Sequence, residues 1–305
     1  MSGTIELNRS VAIFLSNLHL HIQKLNDIEY NIMKEDGTLY KCSILPKERP
    51  EVTADRILHT LYSISFNDLI EEYIDKNAPF PYYYKSINEL KKSLKRLESR
   101  NAVYNPNKHL GLDIVYSYNH SIMSARRHTY ESPEDSWKDL DKRRFGVKDC
   151  LLMSDKVDSK EILYMMIKSR VAKKVYVSDP YEVKYLIQKY YKDEPIIFDP
   201  LCGYSGKMIG VCSSFKKYIG SDVNETILNE NSKAIVDLNL NAELKQKSVK
   251  TYEWKDKNPV LFTDIPEKDS DMWDINNNGD NLSTDDWIDL ITTQCNCPHY
   301  LFVVN

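Results

Sequence analysis

Ile196-Ile197-Phe198-Asp199-Pro200-Leu201-Cys202-Gly203-Tyr204-Ser205-Gly206-Lys207 is the stretch that decides the fold of this 305-residue chain. The apolar residues 196–198 have the length of a buried strand in a parallel sheet. Gly203 and Gly206 allow positive φ angles and close approach to the backbone. The apolar residues from Met208 to Cys212 then predict a helix with a buried face. The stretch therefore predicts a strand, a tight turn and a helix of an α/β fold.

Phosphate-binding loops and dinucleotide-binding folds share this pattern, and ordinary tight turns of an α/β fold would also produce it. The Gly-Lys-Ser/Thr ending of a nucleotide P-loop is absent, which argues against that class. Lys217 to Asn224 predicts a second strand with an acid, Asp222, near its end. In an open α/β sheet such a carboxylate lies beside the first turn and can accept hydrogen bonds from two ribose hydroxyls.

Residues 199–206 resemble the Asp-Pro-Phe-x-Gly-x-Gly motif of S-adenosylmethionine (SAM) dependent amino-methyltransferases that act on DNA. Residues 218–222 resemble the ribose-binding motif of the same family. A strand predicted at 174–178 and a helix after it resemble the family's tenth motif, which precedes the first in one permutation class. The resemblance covers the chain from Lys174 to its end. It implies a Rossmann-like sheet, SAM as cofactor, and adenine N6 or cytosine N4 in DNA as substrate.

Asp264-Ile265-Pro266-Glu267 follows a fourth predicted strand, at the position of the family's catalytic Asp/Asn/Ser-Pro-Pro-aromatic motif. In that motif a side chain and a backbone carbonyl hydrogen-bond the target amine, and the aromatic residue stacks on a base flipped out of the duplex. The resemblance implies that Asp264 and Pro266 hold the target amine. Ile265 and Glu267 depart from the motif, and without the aromatic residue a stacking contribution of about 1–3 kcal/mol is lost.

The resemblance also implies a set of cofactor-binding residues. Asp222, followed by Val223, would bind the ribose. The third predicted strand, 242–249, offers Lys247 and Ser248 where the family has an acid or amide for the adenine amine. The residues implied around the methionine part and the far side of the pocket are Ser178, Asp179, Pro180, Asp199, Leu201, Cys202, Gly203, Ser205 and Gly206.

We expect two regions: a mainly helical N-terminal region, 1–170, that binds DNA and recognises the target, and a SAM-binding domain, 171–305. The net charge of −4 is unusual for a compact DNA-binding module, but basic residues cluster within the first region. A helix that starts with the capping box Ser86-Ile87-Asn88-Glu89 carries several of them. Solvated helix and loop charges are the alternative interpretation. The candidate DNA contacts are Lys91, Lys92, Lys95, Arg96, Arg126 and Arg127.

Apolar spacing predicts helices over 5–30 and 52–73, and strand-like segments at 30–33 and 39–44 around Asp36-Gly37. Alternation over Leu112–Tyr118 predicts a strand, and helices are expected after Ser132 and Asp158. The C-terminal domain offers five strands, whereas the methyltransferase sheet has seven. The N-terminal region, a second copy of the chain or another subunit would then cover the exposed sheet edge.

No apolar run is long enough to span a bilayer, and the polar N-terminus is unlike a signal peptide. Six scattered cysteines indicate reduced thiols in a cytoplasmic protein, and Cys295-Asn296-Cys297 lacks the spacing of a zinc site. No metal and no membrane partner are expected. A phage or restriction–modification context fits the family. Two alternatives remain: a catalytically inactive methyltransferase-like subunit that binds DNA or regulates a partner, and an enzyme acting on RNA or protein.

Overall fold

The structure is a computed structural model that describes residues 21–24, 29–33, 39–43, 67–105, 107–126, 130–154, 156–251, 260–265, 283–295, 297 and 299–303. It divides into two compact units. The described residues of 1–81 and 133–173 form the first unit, and those of 82–132 and 174–305 form the second. No helix in the described part of the chain combines the length and apolar character needed to cross a membrane.

The described elements are numbered in chain order. The strands are β1 (His21–Lys24), β2 (Glu29–Met33), β3 (Leu39–Ser43), β4 (Ile196–Asp199), β5 (Lys217–Asp222), β6 (Ala242–Gln246), β7 (Val260–Asp264) and β8 (His299–Val303). The helices are α1 (Asn67–Tyr73), α2 (Ile87–Glu98), α3 (Leu112–Tyr118), α4 (Pro133–Lys138), α5 (Leu140–Met153), α6 (Ser159–Lys168), α7 (Pro180–Tyr190), α8 (Gly206–Cys212), α9 (Glu225–Leu238) and α10 (Thr284–Cys295). Two 3₁₀ turns cover His120–Met123 and Val249–Thr251.

The second unit is built on a parallel sheet with strand order β6-β5-β4-β7-β8. Successive residues of a strand face opposite sides of the sheet. Ile197 packs in the cluster formed with α2, α3, α7, α8 and α9, while Phe198 packs with Ile291 of α10. The sheet is therefore covered by helices on both faces. The α/β class and the five strands predicted from residue 196 onward are confirmed.

The strand order reverses beside β4, because β5 and β6 lie on one side of it and β7 and β8 on the other. In open parallel sheets, ligands bind outside the carboxyl ends of the strands at such a reversal. The turn after β4, the end of β5 and the end of β7 are therefore the places where a binding site is expected.

The first unit contains α1, α4, α5 and α6, packed around Trp137, Val147 and Met166. Trp137 donates its indole N–H to the carbonyl of Ala78 at 3.1 Å. In the same unit β1, β2 and β3 form an antiparallel sheet, in which the register pairs Ile32 with both Ile22 and Tyr40. The strand-like segments predicted at 30–33 and 39–44 are confirmed.

Three sequence predictions are wrong. A helix was expected over 5–30, but residues 21–24 form β1 and residues 29–30 begin β2. Antiparallel pairing of β2 with β1 on one side and β3 on the other overrides the local apolar spacing. Leu112–Tyr118 is helix α3, since Ile114, Val115 and Tyr118 are buried at helical spacing. Residues 174–178 form no strand, because no described strand pairs with them, and a strand needs a hydrogen-bonded neighbour.

Candidate active site at the carboxyl ends of the strands

The turn after β4 and the end of β5 are in direct contact. Gly203 has φ 51°, the left-handed region that glycine adopts at little cost. Its N–H donates to Asp222 Oδ2 at 2.9 Å, and the N–H of Asn224 donates to Asp222 Oδ1 at 2.9 Å. Each carboxylate oxygen can accept a second hydrogen bond, and the side chain is half-buried. Asp222 is thus fixed in place and still able to bind a hydroxyl.

The buried side-chain amides of Asn119 and Asn231 support the turn after β4. Asn119 Oδ1 accepts hydrogen bonds from the Ser205 N–H at 3.0 Å and hydroxyl at 2.6 Å. Asn119 also donates to Asn231 Oδ1 at 2.8 Å, and Asn231 donates to the Gly203 carbonyl at 2.8 Å. Ser205 is fully buried, as is Cys202 at 1% exposure, so both shape the turn from inside the protein. Sequence reasoning did not identify Asn119 or Asn231, because their role depends on tertiary contacts.

Gly206 lets the segment before α7 approach the turn. A Cβ atom at position 206 would lie 2.0 Å from the carbonyl oxygen of Ser178, so only glycine fits. Ser178 in turn donates its hydroxyl to Asp264 Oδ2 at the end of β7. Asp179 caps α7 through the Tyr181 N–H at 2.8 Å, and Pro180 is the first residue of the helix. The residues expected on the far side of the pocket therefore reach the end of β7.

Asp199, the last residue of β4, is a fully buried carboxylate that joins three strands. It accepts hydrogen bonds from the Tyr218 hydroxyl of β5 at 2.7 Å and from the Thr263 hydroxyl of β7 at 2.6 Å. Burial raises the pKa of Asp199, and the nearby Lys207 ammonium with these two hydroxyls opposes that rise. The carboxylate stabilises the strand ends and is not exposed to a ligand.

Lys207 is a buried cation that sequence reasoning missed. Its Nζ atom lies 3.2 Å from Asp199 Oδ2 and 3.6 Å from Asp264 Oδ2, and it donates to the carbonyl of Leu201 at 2.8 Å. Burial acts to lower the pKa of Lys207, but the two carboxylates outweigh it and hold the pKa above its ordinary value. The ammonium is therefore buried between the carboxyl ends of β4 and β7. A lysine directly after the second glycine was the one available sequence signal.

Asp264, the last residue of β7, has a side chain that is 19% exposed. Its Oδ2 atom meets Ser178 and Lys207, and its Oδ1 atom accepts no hydrogen bond from the described residues. Ile265 is 3% exposed and packs in the cluster on the α10 side of the sheet. Pro266, the second residue expected to hold the target amine, lies outside the described residues.

The end of β6 differs from the sequence expectation. Lys247 and Ser248 were taken as the residues beside the adenine, but the last residue of β6 is Gln246, which pairs in register with Asp222. Its Nε2 atom lies 3.5 Å from the carbonyl oxygen of Val223, whose own side chain is 58% exposed. An amide therefore stands next to the candidate ribose-binding acid.

The candidate DNA contacts of α2 share one side of the helix. Its N-cap, Ser86, forms the predicted capping box with Glu89. Leu90, Leu94 and Leu97 are buried, as predicted. Arg126 is exposed in the loop after α3, and Arg127 lies outside the described residues. The exposed basic residues of α2 are Lys91, Lys92, Lys95 and Arg96.

Among the described residues, no group of three or more His, Cys, Asp and Glu side chains could hold a metal ion. Neither a family model nor a curated protein matches the sequence.

Solved structures similar to this chain include three methyltransferases. An rRNA methylase from Streptococcus thermophilus is 16% identical, with a TM-score of 0.29 over 43% of this chain and 74% of its own. A Listeria monocytogenes protein assigned to the class I SAM-dependent methyltransferases is 13% identical, with a TM-score of 0.34 over 70% and 73%. Coclaurine N-methyltransferase, bound to N-methylheliamine and SAH, is 11% identical, with a TM-score of 0.31 over 78% and 61%. Similarities this low do not determine what this chain binds.

Proposed function

We propose that this protein is a SAM-dependent methyltransferase that acts on an exocyclic amine of a DNA base, adenine N6 or cytosine N4. The observation that carries the proposal is the contact between the Gly203 N–H and Asp222 Oδ2 at 2.9 Å. It brings a glycine turn and an acid together at the carboxyl edge of the sheet, beside the reversal of strand order. That arrangement suits a nucleoside, with the ribose hydroxyls on the acid and the remainder along the turn.

The charges of the site suit a cationic cofactor. Asp199 and Lys207 offset each other inside the protein, which leaves Asp222 and Asp264 as the carboxylates nearer the surface. When bound, SAM supplies a methyl group on a positively charged sulfur. Because Lys207 is buried between the ends of β4 and β7, the cofactor would lie on the more exposed side of it, between Leu201 and Asp264. Leu201 and Asp264 are both partly exposed, as this placement requires.

Asp264 is suited to hold the target amine. Its Oδ1 atom accepts no hydrogen bond from the described residues, while Ser178 and Lys207 fix the other oxygen. An oriented carboxylate oxygen can accept a hydrogen bond from an exocyclic amine and localise its lone pair for attack. Correct placement of the nitrogen against the methyl group accounts for much of the rate in such a reaction. The basic face of α2 would hold the DNA backbone.

Calorimetric titration with SAM tests the cofactor site. We expect the wild type to bind SAM and Asp222→Asn to bind at least about tenfold more weakly, since a carboxylate–hydroxyl bond contributes more than 1 kcal/mol. Asp193→Asn, which changes an exposed acid of the same unit, is the matched control. Unchanged affinity in Asp222→Asn, with an unchanged melting temperature, would refute the role of that acid.

A second candidate is a methyltransferase-like subunit that binds without catalysing. The specific observation in its favour is that Lys207 and Ser178 both contact Asp264 Oδ2, so one of the two carboxylate oxygens proposed to accept from the target amine already has partners. Incubation with radiolabelled SAM and mixed-sequence DNA separates the two candidates. Methyl incorporation that Asp264→Ala abolishes excludes the inactive subunit. SAM binding without incorporation into DNA, tRNA or protein supports it.

A further inference from the structure

Tyrosines and lysines interleave on one surface of the second unit, outside the residues assigned so far. We call it the tyrosine–lysine strip. It joins one side of α7 to the loop before α3. The strip consists of Tyr104, Lys108, Tyr181, Tyr185, Lys189 and Tyr190.

Each lysine of the strip lies over a ring. Lys108 Nζ is 4.6 Å from the centre of the Tyr181 ring, and it donates to the Tyr181 hydroxyl at 3.3 Å. Lys189 Nζ is 5.5 Å from the centre of the Tyr185 ring and 4.9 Å from that of Tyr190. The six side chains therefore form a connected surface of alternating rings and positive charges.

The rings available to a partner are exposed. Tyr104 is 61% exposed and Tyr190 is 53% exposed, and half-buried Tyr185 lies 5.8 Å from Tyr104 between ring centres. Tyr181 is buried at 3%, so it positions Lys108 and is not a stacking surface. From Tyr181 to Lys189 the helix rises about 12 Å, roughly the length of three stacked nucleotides.

The strip carries uncompensated positive charge. Neither Lys108 nor Lys189 forms an ion pair with a carboxylate of the described residues. Asp179, at one end, is engaged by His109 Nδ1 at 2.7 Å. Glu182 is exposed next to the strip and, with Asp179, equals the two lysines in number, and Arg100, close enough to Tyr181 to lower its pKa, adds the further positive charge.

We propose that the tyrosine–lysine strip binds a single-stranded nucleic acid, with bases stacked on Tyr104, Tyr185 and Tyr190 and phosphates held by Lys108 and Lys189. Aromatic rings interleaved with cations suit this ligand, since every base has a face that stacks and every nucleotide has a phosphate. A duplex conceals its base faces and is a poorer partner. The strip does not require methyl transfer to function.

The strip lies next to the candidate active site along the chain. Asp179 caps α7 at the end of the strip where Tyr181 lies, and the preceding residue, Ser178, donates to Asp264. A nucleic-acid strand bound to the strip would therefore extend from it close to Asp264, the carboxylate proposed to hold the target amine. The unpaired DNA on either side of a flipped-out target base is one example of such a strand.

Fluorescence anisotropy without SAM tests the strip, using labelled oligothymidylate and oligouridylate of about twelve nucleotides and a duplex of equal length. We expect single strands to bind, and Tyr104→Ala/Tyr185→Ala/Tyr190→Ala to weaken that binding at least about a hundredfold, because each of the three stacked rings contributes about fivefold or more. The corresponding triple Phe variant keeps the rings and is expected to retain affinity within about threefold. If the wild type binds either oligothymidylate or oligouridylate more tightly and the triple Ala variant loses that preference, the result supports binding at the strip.

A matched control exists in the first unit, where Lys168 Nζ lies 6.0 Å from the centre of the 55% exposed Tyr164 ring. Tyr164→Ala/Lys168→Ala is expected to leave binding unchanged. Lys108→Ala/Lys189→Ala should lower the slope of log affinity against log salt by about 1.4, or about 0.7 per phosphate contact. Absence of single-strand binding by the wild type, equal affinity of the triple Ala variant for single strands, or an equal loss of duplex binding in that variant overturns the proposal. Because the readout omits SAM, its failure leaves the cofactor test intact.

Discussion

Lys207 is a charged side chain in the interior of the second unit, at 4% exposure, and its partners come from two different strands. Removing a charge from water is costly unless partners compensate for it. Here Asp199, Asp264 and the carbonyl of Leu201 surround the ammonium. The sequence contains every one of these residues, but their meeting depends on β4 and β7 being neighbours. That strand order cannot be obtained from local spacing.

Lys207→Met should lower the free energy of unfolding by about 3–5 kcal/mol at neutral pH, because it leaves Asp199 buried without a cation. Urea unfolding followed by circular dichroism measures this change. Lys207→Met/Asp199→Asn removes both charges and should recover part of the loss. A single variant as stable as the wild type would show that the ammonium does not compensate Asp199.

The pH dependence of that difference has a definite sign. The folded pKa of Lys207 is raised, so its contribution is fully present below the unfolded value of about 10.4 and is lost only as pH rises toward the folded value. The gap between wild type and Lys207→Met should therefore not close as pH rises from about 6 to 9, because Lys207 stays charged and the uncompensated Asp199 of the variant can only lose its proton. A gap that closes within this range would contradict the raised pKa.

Gly206→Ala should destabilise the second unit by about 1–3 kcal/mol and weaken SAM binding, because the added Cβ meets the backbone oxygen of Ser178. The atom in the way belongs to the main chain, so Ser178→Ala should not relieve the clash. Lys233→Ala on the exposed side of α9 is a control for an added alanine. Thermal melting and calorimetry measure both effects, and a Gly206→Ala variant with wild-type stability and affinity would refute the close packing.

At the level of elements, the sequence predicted the parallel strands well and two short segments badly. β4 and β7 each begin with a continuous apolar run, residues 196–198 and 260–262, which is typical of a sheet buried on both faces. Over the seven residues of α3, apolar residues fit an alternating and a helical pattern equally well. Tertiary burial of Ile114 and Val115, adjacent in sequence, decides for the helix. Residues 174–178 are not a strand because no described strand forms hydrogen bonds with them.

The basic face of α2 should contribute to duplex DNA binding through phosphates alone. If all four basic residues contact phosphates, changing them to Ala should lower the salt slope of log affinity by about 3.6, or about 0.9 per contact, equally for different sequences. The variant is Lys91→Ala/Lys92→Ala/Lys95→Ala/Arg96→Ala. Filter binding at several salt concentrations measures the slope.

The control for α2 changes four exposed lysines elsewhere, Lys160, Lys168, Lys192 and Lys233. It removes a similar amount of charge, so a smaller change in slope would localise the DNA to α2. Equal slopes in the two variants would mean that the face of α2 is merely solvated, the alternative left open by the sequence.

Across the whole molecule, the candidate site draws on segments far apart in the chain. Asn119, Ser178, Gly203, Asp222 and Asp264 span most of the second unit, and each is linked to a neighbour by a hydrogen bond. The glycine turn and Asp222 could be read from the sequence because each closes a recognisable strand. Asn119 could not, because nothing local distinguishes a buried amide that supports a turn from one in an exposed loop.

Buried thiols occur in both units, and they should make the whole protein sensitive to alkali. Burial raises the pKa of Cys150, in the first unit, to about 12. In the second unit burial is again the main cause, raising the pKa of Cys212 and Cys295 to about 12 and of Cys297 to about 11. Unfolded thiols ionise near pH 8.5, so between that value and pH 11 the folded protein binds more protons than the unfolded chain.

Stability should therefore be full well below pH 8.5 and fall as pH rises, by roughly 1.4 kcal/mol per buried thiol at about pH 9.5. Urea unfolding under reducing conditions at about pH 7.5 and 9.5 measures the loss, below the range where tyrosines ionise. Cys150→Ala and Cys212→Ala, compared with the wild type at both values, should each reduce the loss by the share of one thiol. Because the two cysteines lie in different units, the comparison also shows whether the units unfold together. If they do, there is a single unfolding transition, and either substitution reduces its pH dependence. If the units unfold separately, each substitution reduces the pH dependence of its own unit's transition only. A wild type equally stable at both pH values would contradict the raised thiol pKa values.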